Sequence, residues 1–205
     1  MNELETIEYI LNHEAAAVCN IPVSEKFIKA IDILHEHVHT RNGKIIMSGM
    51  GKAGQIAVNM ATTFSSTGSP AVFLHPAEAQ HGDLGVMQPN DVMVLISNSG
   101  KTREIVELVA LARNLYNNIP IIVITGNPQS QLADIADVVI STGNPPEVCP
   151  LGLTPTTSTT VMTVIGDILV VTLMKRIGFT NADYAKRHHG GYLGNKSRQQ
   201  AAEKK

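Results

Sequence analysis

Lys44-Ile45-Ile46-Met47-Ser48-Gly49-Met50-Gly51-Lys52-Ala53-Gly54 is a short apolar run that enters a glycine-rich turn and then opens a helical pattern. The run Lys44–Ser48 is too short for a helix and fits a buried strand. Four more runs repeat it: Ala71–His75, Val92–Ser97, Ile121–Thr125 and Val138–Ser141. Helical spacing lies between them at Gly54–Ser66, Thr102–Asn114 and Gln129–Ala136, and a long apolar helix begins near Pro155. Strand alternating with helix predicts an α/β fold, a three-layer αβα sandwich around a five-stranded parallel sheet. Residues 1–42 add two N-terminal helices broken near Pro22, with Leu4, Ile7, Ile10 and Leu11 on one face and Phe27, Ile31 and Leu34 on the next. Open sheets of this kind take ligands outside the carboxyl ends of their strands, so the functional residues are sought there.

The whole chain has 205 residues, a net charge of −2, 17% charged residues and no tryptophan. That length buries a core without disulfide or metal support and predicts one domain, residues 1–195, followed by a polar tail at 196–205 expected to be disordered. A nucleic-acid partner is not expected, because no basic face is available to neutralise phosphates. Cys19 and Cys149 stand far apart without metal-binding or redox spacing. The first twenty residues carry Glu3, Glu5, Glu8 and Glu14 and no apolar signal region, and Val161–Met174 is interrupted by polar residues and is read as a buried helix rather than a membrane span. A cytoplasmic protein without a membrane partner is the expectation.

Three motifs come close to known chemistry and each lacks a part. Gly49-Met50-Gly51-Lys52-Ala53-Gly54 matches a dinucleotide fingerprint, but the second strand ends Phe73-Leu74-His75-Pro76 without the acidic residue that holds a ribose. Ser99-Gly100-Lys101-Thr102 ends like a P-loop, yet Leu95 stands where its first glycine belongs. His35-Glu36-His37-Val38-His39 has zinc-protease spacing at a helix end, with no third ligand identifiable.

Ser97-Asn98-Ser99-Gly100-Lys101-Thr102 leads from a strand end into a helix start, where hydroxyls and free N–H groups meet the positive end of the helix dipole. A phosphomonoester seat and a merely capped helix fit this segment alone equally well. The second glycine-rich turn at Gly49–Gly54 tips the balance towards a site with room for a small sugar. Lys52, His75, Glu78, His81, Asp83, Glu104, Glu147, His188 and His189 are the titratable groups near these turns or in later loops.

Gly49-Met50-Gly51-Lys52, the stretch His75 to Gly85, Ser97-Asn98-Ser99-Gly100, the stretch Cys149 to Thr156, and Gly190-Gly191 with Leu193-Gly194 together resemble the sugar isomerase (SIS) domain family, and within it the D-arabinose 5-phosphate isomerases. The resemblance runs from about residue 40 to 195 and implies interconversion of D-ribulose 5-phosphate and D-arabinose 5-phosphate, the entry to the Kdo sugar of lipopolysaccharide. It further implies no required cofactor, no catalytic metal, and a homo-oligomer, tetramer ahead of dimer. Many members continue into CBS domains; this chain resembles the shorter form. The family often has Ser at the position of Ala53 and Pro at that of His189, and Ser48 is the candidate to replace the first hydroxyl.

By that resemblance the catalytic positions are Lys52, Glu104, Glu147 and His188. Substrate contacts are assigned to Ser48, Gly49, Gly51, His81, Ser97, Asn98, Ser99, Gly100, Thr102, Thr157 and Ser158. An aldose–ketose isomerase needs a base, an acid and a cation. Lys52 is the cation, disfavoured at a helix start unless it faces an anion. Glu147 is the preferred C1–C2 base, on the expectation that desolvation raises its pKa. His188 is the alternative base or the ring-opening group, acting in the same or a neighbouring subunit. Glu104 orients Lys52 or a substrate hydroxyl, although a first-turn glutamate also serves a helix start. If His75, His81, His188 and His189 converge, they could bind zinc, which would inhibit rather than assist.

Overall fold

A computed structural model describes residues 2–203. The strands are β1 (Ile45–Gly49), β2 (Ala71–Phe73), β3 (Val92–Ile96), β4 (Ile121–Thr125) and β5 (Val138–Ser141). The helices are α1 (Glu3–Cys19), α2 (Glu25–His35), α3 (Gly51–Ser66), α4 (Pro76–Ala79), α5 (Arg103–Leu115), α6 (Gln131–Asp134), α7 (Thr157–Arg176), α8 (Asn181–Arg187) and α9 (Gly191–Glu203). All four strand pairings are parallel, in the order β2-β1-β3-β4-β5. The three-layer α/β sandwich expected from the alternating runs is the observed architecture.

Alternation along the strands builds two cores. Ile45, Met47, Val94, Ile96, Ile122 and Ile124 face α2, α3 and α7, while Ile46, Met93, Leu95, Ile121 and Val123 face α5 and α6. Both faces of β1, β3 and β4 are buried, and so these strands read as unbroken apolar runs rather than as alternating ones.

α7 is the central helix of the first layer. By length and apolar composition its 20 residues meet the measure of a membrane span, a measure that buried core helices also meet. It extends the apolar segment Val161–Met174 by four residues at its start and two at its end. Its packing against α1, α2 and α3 accounts for its apolar character.

α4, α8 and α9 were not foreseen. The polar tail is a correction: residues 191–203 form α9, packed on α8, and the last two residues lie outside the described ones. Ala, Gln, Lys and Glu are good helix formers, so polarity there marks exposure rather than loss of structure. The HExxH segment runs through a π-helical turn at Glu36–Thr40, where His39 Nε2 pairs with Ser69 Oγ at 2.9 Å. Among the described residues no three His, Cys, Asp or Glu side chains are grouped to hold a metal, so the four histidines do not converge.

Candidate active site

The strand order reverses direction between β1 and β3, the switch point at which such sheets open a crevice. Gly49 pairs with Ile96, so the turns that follow these strands leave the sheet at one level. Gly51 has φ +56 and nothing within reach of an added Cβ, which lets the chain turn sharply into α3. The resulting cleft, about 400 Å³, is lined by Met50, Lys52 and Ala53 from the first turn, by Ser97, Asn98, Ser99 and Thr102 from the second, and by Asn127, Asn144 and Pro155. A contiguous lobe shares Asn98, Asn144 and Pro155 and extends to Glu147, Leu153 and Ser158.

The seat for an anion is built from backbone. Neither the α3 start at Met50 nor the α5 start at Thr102 has a side-chain cap; α3 borders the cleft with Lys52 and Ala53 of its uncapped first turn, whereas α5 reaches it at Thr102, whose carbonyl accepts from Ile105 N–H at 3.1 Å. Ser97 Oγ and Thr102 Oγ1 are 2.8 Å apart, Gly100 N–H donates to Ser97 Oγ at 3.2 Å, and Lys101 N–H donates to Ser99 Oγ at 3.2 Å. These bonds fix the loop before any ligand arrives. Gly100 has φ +62, and a Cβ there would lie 1.9 Å from Ser130 Oγ, the hydroxyl that caps α6. Gly100→Ala is therefore expected to cost about 2–3 kcal/mol, from the left-handed backbone and the disturbed cap. A thermal melt of the variant beside the parent checks it, and an unchanged midpoint would contradict the geometry.

Lys52 lines this cleft, is exposed, and has no ion-pair partner among the described residues. The residue thus borders the same space as the uncapped start of α3. Glu147 lies in the adjoining lobe, half-buried, and its Oε2 accepts from Thr156 N–H at 2.8 Å, Thr156 Oγ1 at 3.0 Å and Ser158 N–H at 3.2 Å. Burial alone pushes its carboxyl up, but the hydrogen bonds from Ser158 and Thr156 together outweigh burial and hold it below the ordinary value of 4.5. This overturns the expectation that desolvation raises it.

The other sequence-derived positions divide. Gly49, Gly51, Ser97, Asn98, Ser99, Gly100, Thr102 and Ser158 line or shape the cleft. Ser48 is fully buried and donates to the Leu74 carbonyl at 2.6 Å, so it does not replace the hydroxyl missing at Ala53. Thr157 is also buried and spends its proton on Glu14 Oε1 at 3.1 Å. Both hydroxyls point into the protein, a direction that spacing along the chain does not reveal. His81 is exposed in the turn after α4, and Glu104 sits half-buried in the first turn of α5; neither lines the cleft. His188 ends α8, stacked on Tyr184 with ring centroids 3.7 Å apart, and no residue of α8 or α9 lines the cleft of the same chain.

Asn127 and Asn144 were missed. Each follows a glycine at the end of β4 or β5, and applying the strand-end rule to those strands as well would have found them. Cys149 carries a second unforeseen feature. Its Sγ accepts from Thr154 N–H at 3.1 Å and Leu153 N–H at 3.3 Å, and hydrogen bonding from Thr154 leads the effects that lower the thiol to about 7. Alkylation of Cys149 by iodoacetamide is expected to rise with a midpoint near that value, and mass spectrometry across a pH series measures it. A midpoint at the ordinary thiol value would mean that the loop does not hold this shape.

Residues 39–172 match the SIS domain model. The arabinose 5-phosphate isomerase KdsD of Shigella flexneri is 51% identical over 154 residues, which is 75% of this chain and 46% of that protein. The chain spans about half the length of the curated relatives it matches. A Bacteroides fragilis structure, described as a candidate phosphosugar isomerase involved in capsule formation, is 64% identical with a TM-score of 0.91, over 92% of this chain and 98% of that one. An Escherichia coli CFT073 protein in complex with arabinose 5-phosphate is 36% identical with a TM-score of 0.83, over 92% of this chain and the whole of the other. With the switch-point cleft between its two glycine-rich turns and a family match across most of its length, the chain belongs to the SIS domain family.

Proposed function

We propose that the chain is a cytoplasmic aldose–ketose isomerase that interconverts D-ribulose 5-phosphate and D-arabinose 5-phosphate, the entry to the Kdo sugar of lipopolysaccharide. The observation that carries this reading is a pair of adjoining lobes that share Asn98, Asn144 and Pro155, one lined by Lys52 and the uncapped starts at Met50 and Thr102, the other by Glu147. The KdsD relatives and the arabinose 5-phosphate complex of the Escherichia coli protein support the choice of substrate.

In the ketose-to-aldose direction a base takes a proton from C1, and charge develops on the C2 oxygen. A proton then returns to C2, the C2 oxygen becomes a hydroxyl, and the C1 hydroxyl gives up its proton to become the carbonyl. Lys52 is assigned to the developing oxyanion. Glu147, ionised at neutral pH, is assigned to the proton transfer. Glu104, in the first turn of α5 and outside the cleft lining, is assigned by the family resemblance alone to orienting Lys52 or a substrate hydroxyl. His188 belongs to the terminal hairpin and is assigned to a neighbouring subunit's cleft, as ring-opening group or alternative base. A homo-oligomer, tetramer ahead of dimer, is consistent with the exposed Leu4, Ile7 and Leu11 of α1. No step in this chemistry calls for a metal or an organic cofactor.

The test is a discontinuous assay of ribulose 5-phosphate conversion on purified protein. Turnover to arabinose 5-phosphate supports the isomerase. No turnover, with arabinose 5-phosphate still raising the melting temperature, would instead identify a sugar-phosphate sensor.

A further inference from the structure

α1 contributes no fully buried residue, and its large apolar side chains Leu4, Ile7 and Leu11 face outward. Its polar contacts go elsewhere. His13 Nε2–H donates to the Pro146 carbonyl at 3.1 Å in the tautomer that carries the proton there. Glu14 Oε1 accepts from Thr157 Oγ1 at 3.1 Å, and Thr157 Oγ1 in turn accepts from Val148 N–H at 3.3 Å. Consecutive residues of α1 are thus tied, directly or through one hydroxyl, to the residues on either side of Glu147.

We infer that Glu14 is a positioning residue, which sets the proton of the Thr157 hydroxyl and thereby anchors the turn that presents Glu147. A hydroxyl has one proton. With that proton held on Glu14, its lone pairs are turned to Val148 N–H, and the backbone after Glu147 is fixed. An open pocket of about 230 Å³ lies between α1 and the turn at Thr142–Pro146, so close packing over that stretch is incomplete and the hydrogen bonds carry more of the placement. Glu14 is also an expensive residue to keep there: its Oε2 is enclosed and has no hydrogen-bond partner among the described residues. An apolar side chain of similar size would avoid that penalty, which points to selection for placement of the turn rather than for stability.

This inference rests on the proposed isomerase reading only for its kinetic readout. Glu14→Leu and Thr157→Val are each expected to lower kcat about tenfold or more with KM little changed, since a displaced catalytic group costs turnover before binding. The melting temperature of Glu14→Leu should be unchanged or higher, and the double variant should be no worse than the worse single. Glu14→Gln and Thr157→Ser keep the acceptor and the hydroxyl and should recover most of the turnover. Hydrogen exchange at 147–148 is measured on the same proteins and should speed up in Glu14→Leu and Thr157→Val but not in Thr157→Ser. Unchanged exchange, a kcat loss that tracks a falling melting temperature, or additive losses in the double variant would overturn the assignment. If the parent protein has no turnover, the isomerase reading falls, and the exchange result alone decides whether Glu14 holds the turn.

Discussion

Lys52→Ala is expected to lower kcat/KM by about 10²–10³-fold while leaving the fold intact, the range for removal of a positioned charge-stabilising group. The two halves of that expectation come from the same observations. Lys52 is exposed, lies in the first turn of α3 and has no ion-pair partner among the described residues, so truncating it breaks no ion pair there. A cation at a helix start works against the dipole, and its removal should leave the melting temperature unchanged or slightly raised. The counterpart proposed for it is the anionic substrate in the cleft that it lines. Steady-state kinetics beside a thermal melt separate the two effects. A variant that melts early and loses activity in proportion would make Lys52 a structural residue, and one with full turnover would remove the oxyanion role from it.

The cleft was legible in the sequence wherever backbone geometry makes it. A strand running into a glycine-rich turn and then a helix is local information, and the five runs with their intervening helical periods carried the sheet, its parallel sense and the two crossing turns at β1 and β3. Side-chain direction was less accessible. Ser48 and Ser97 both end strands that lead into the cleft, yet one hydroxyl is spent on the Leu74 carbonyl and the other faces Thr102. That difference depends on which carbonyl a neighbouring strand offers, and only the register decides it. Glu147 shows the same limit in its electrostatics. Burial was foreseen for it, but the competing N–H groups of Thr156 and Ser158 come from the start of a helix nine to eleven residues on, which the loop folds back to meet. The contribution of α1 to that turn lay furthest from view, since Glu14 and Thr157 are separated by 143 positions.

Glu147→Gln carries the other large effect. A glutamine keeps an oxygen that accepts from the Thr156 and Ser158 N–H groups, so the start of α7 survives while the basic lone pair is lost. If Glu147 moves the C1–C2 proton, kcat should fall by about 10²–10⁴-fold, the usual range for a general base, with the protein still folded. The pH dependence has a definite sign. The carboxyl is held below its ordinary value, so its ionised form contributes stability above the unfolded-state value, and that contribution is lost as pH falls through the lower folded one. The parent should therefore exceed Glu147→Gln in stability by most at neutral pH, and the two melting curves should converge in acid. Activity follows the same ordering: an ionised Glu147 persists below 4.5, so any fall in kcat/KM at mildly acidic pH belongs to another group. A pH–rate profile of the parent with its acid limb well above that value, abolished in His188→Gln, would assign the limb to the histidine and leave Glu147 as the base. A limb that survives in His188→Gln belongs to a further group, and the substrate phosphate, whose second ionisation lies at about 6, is the first to test.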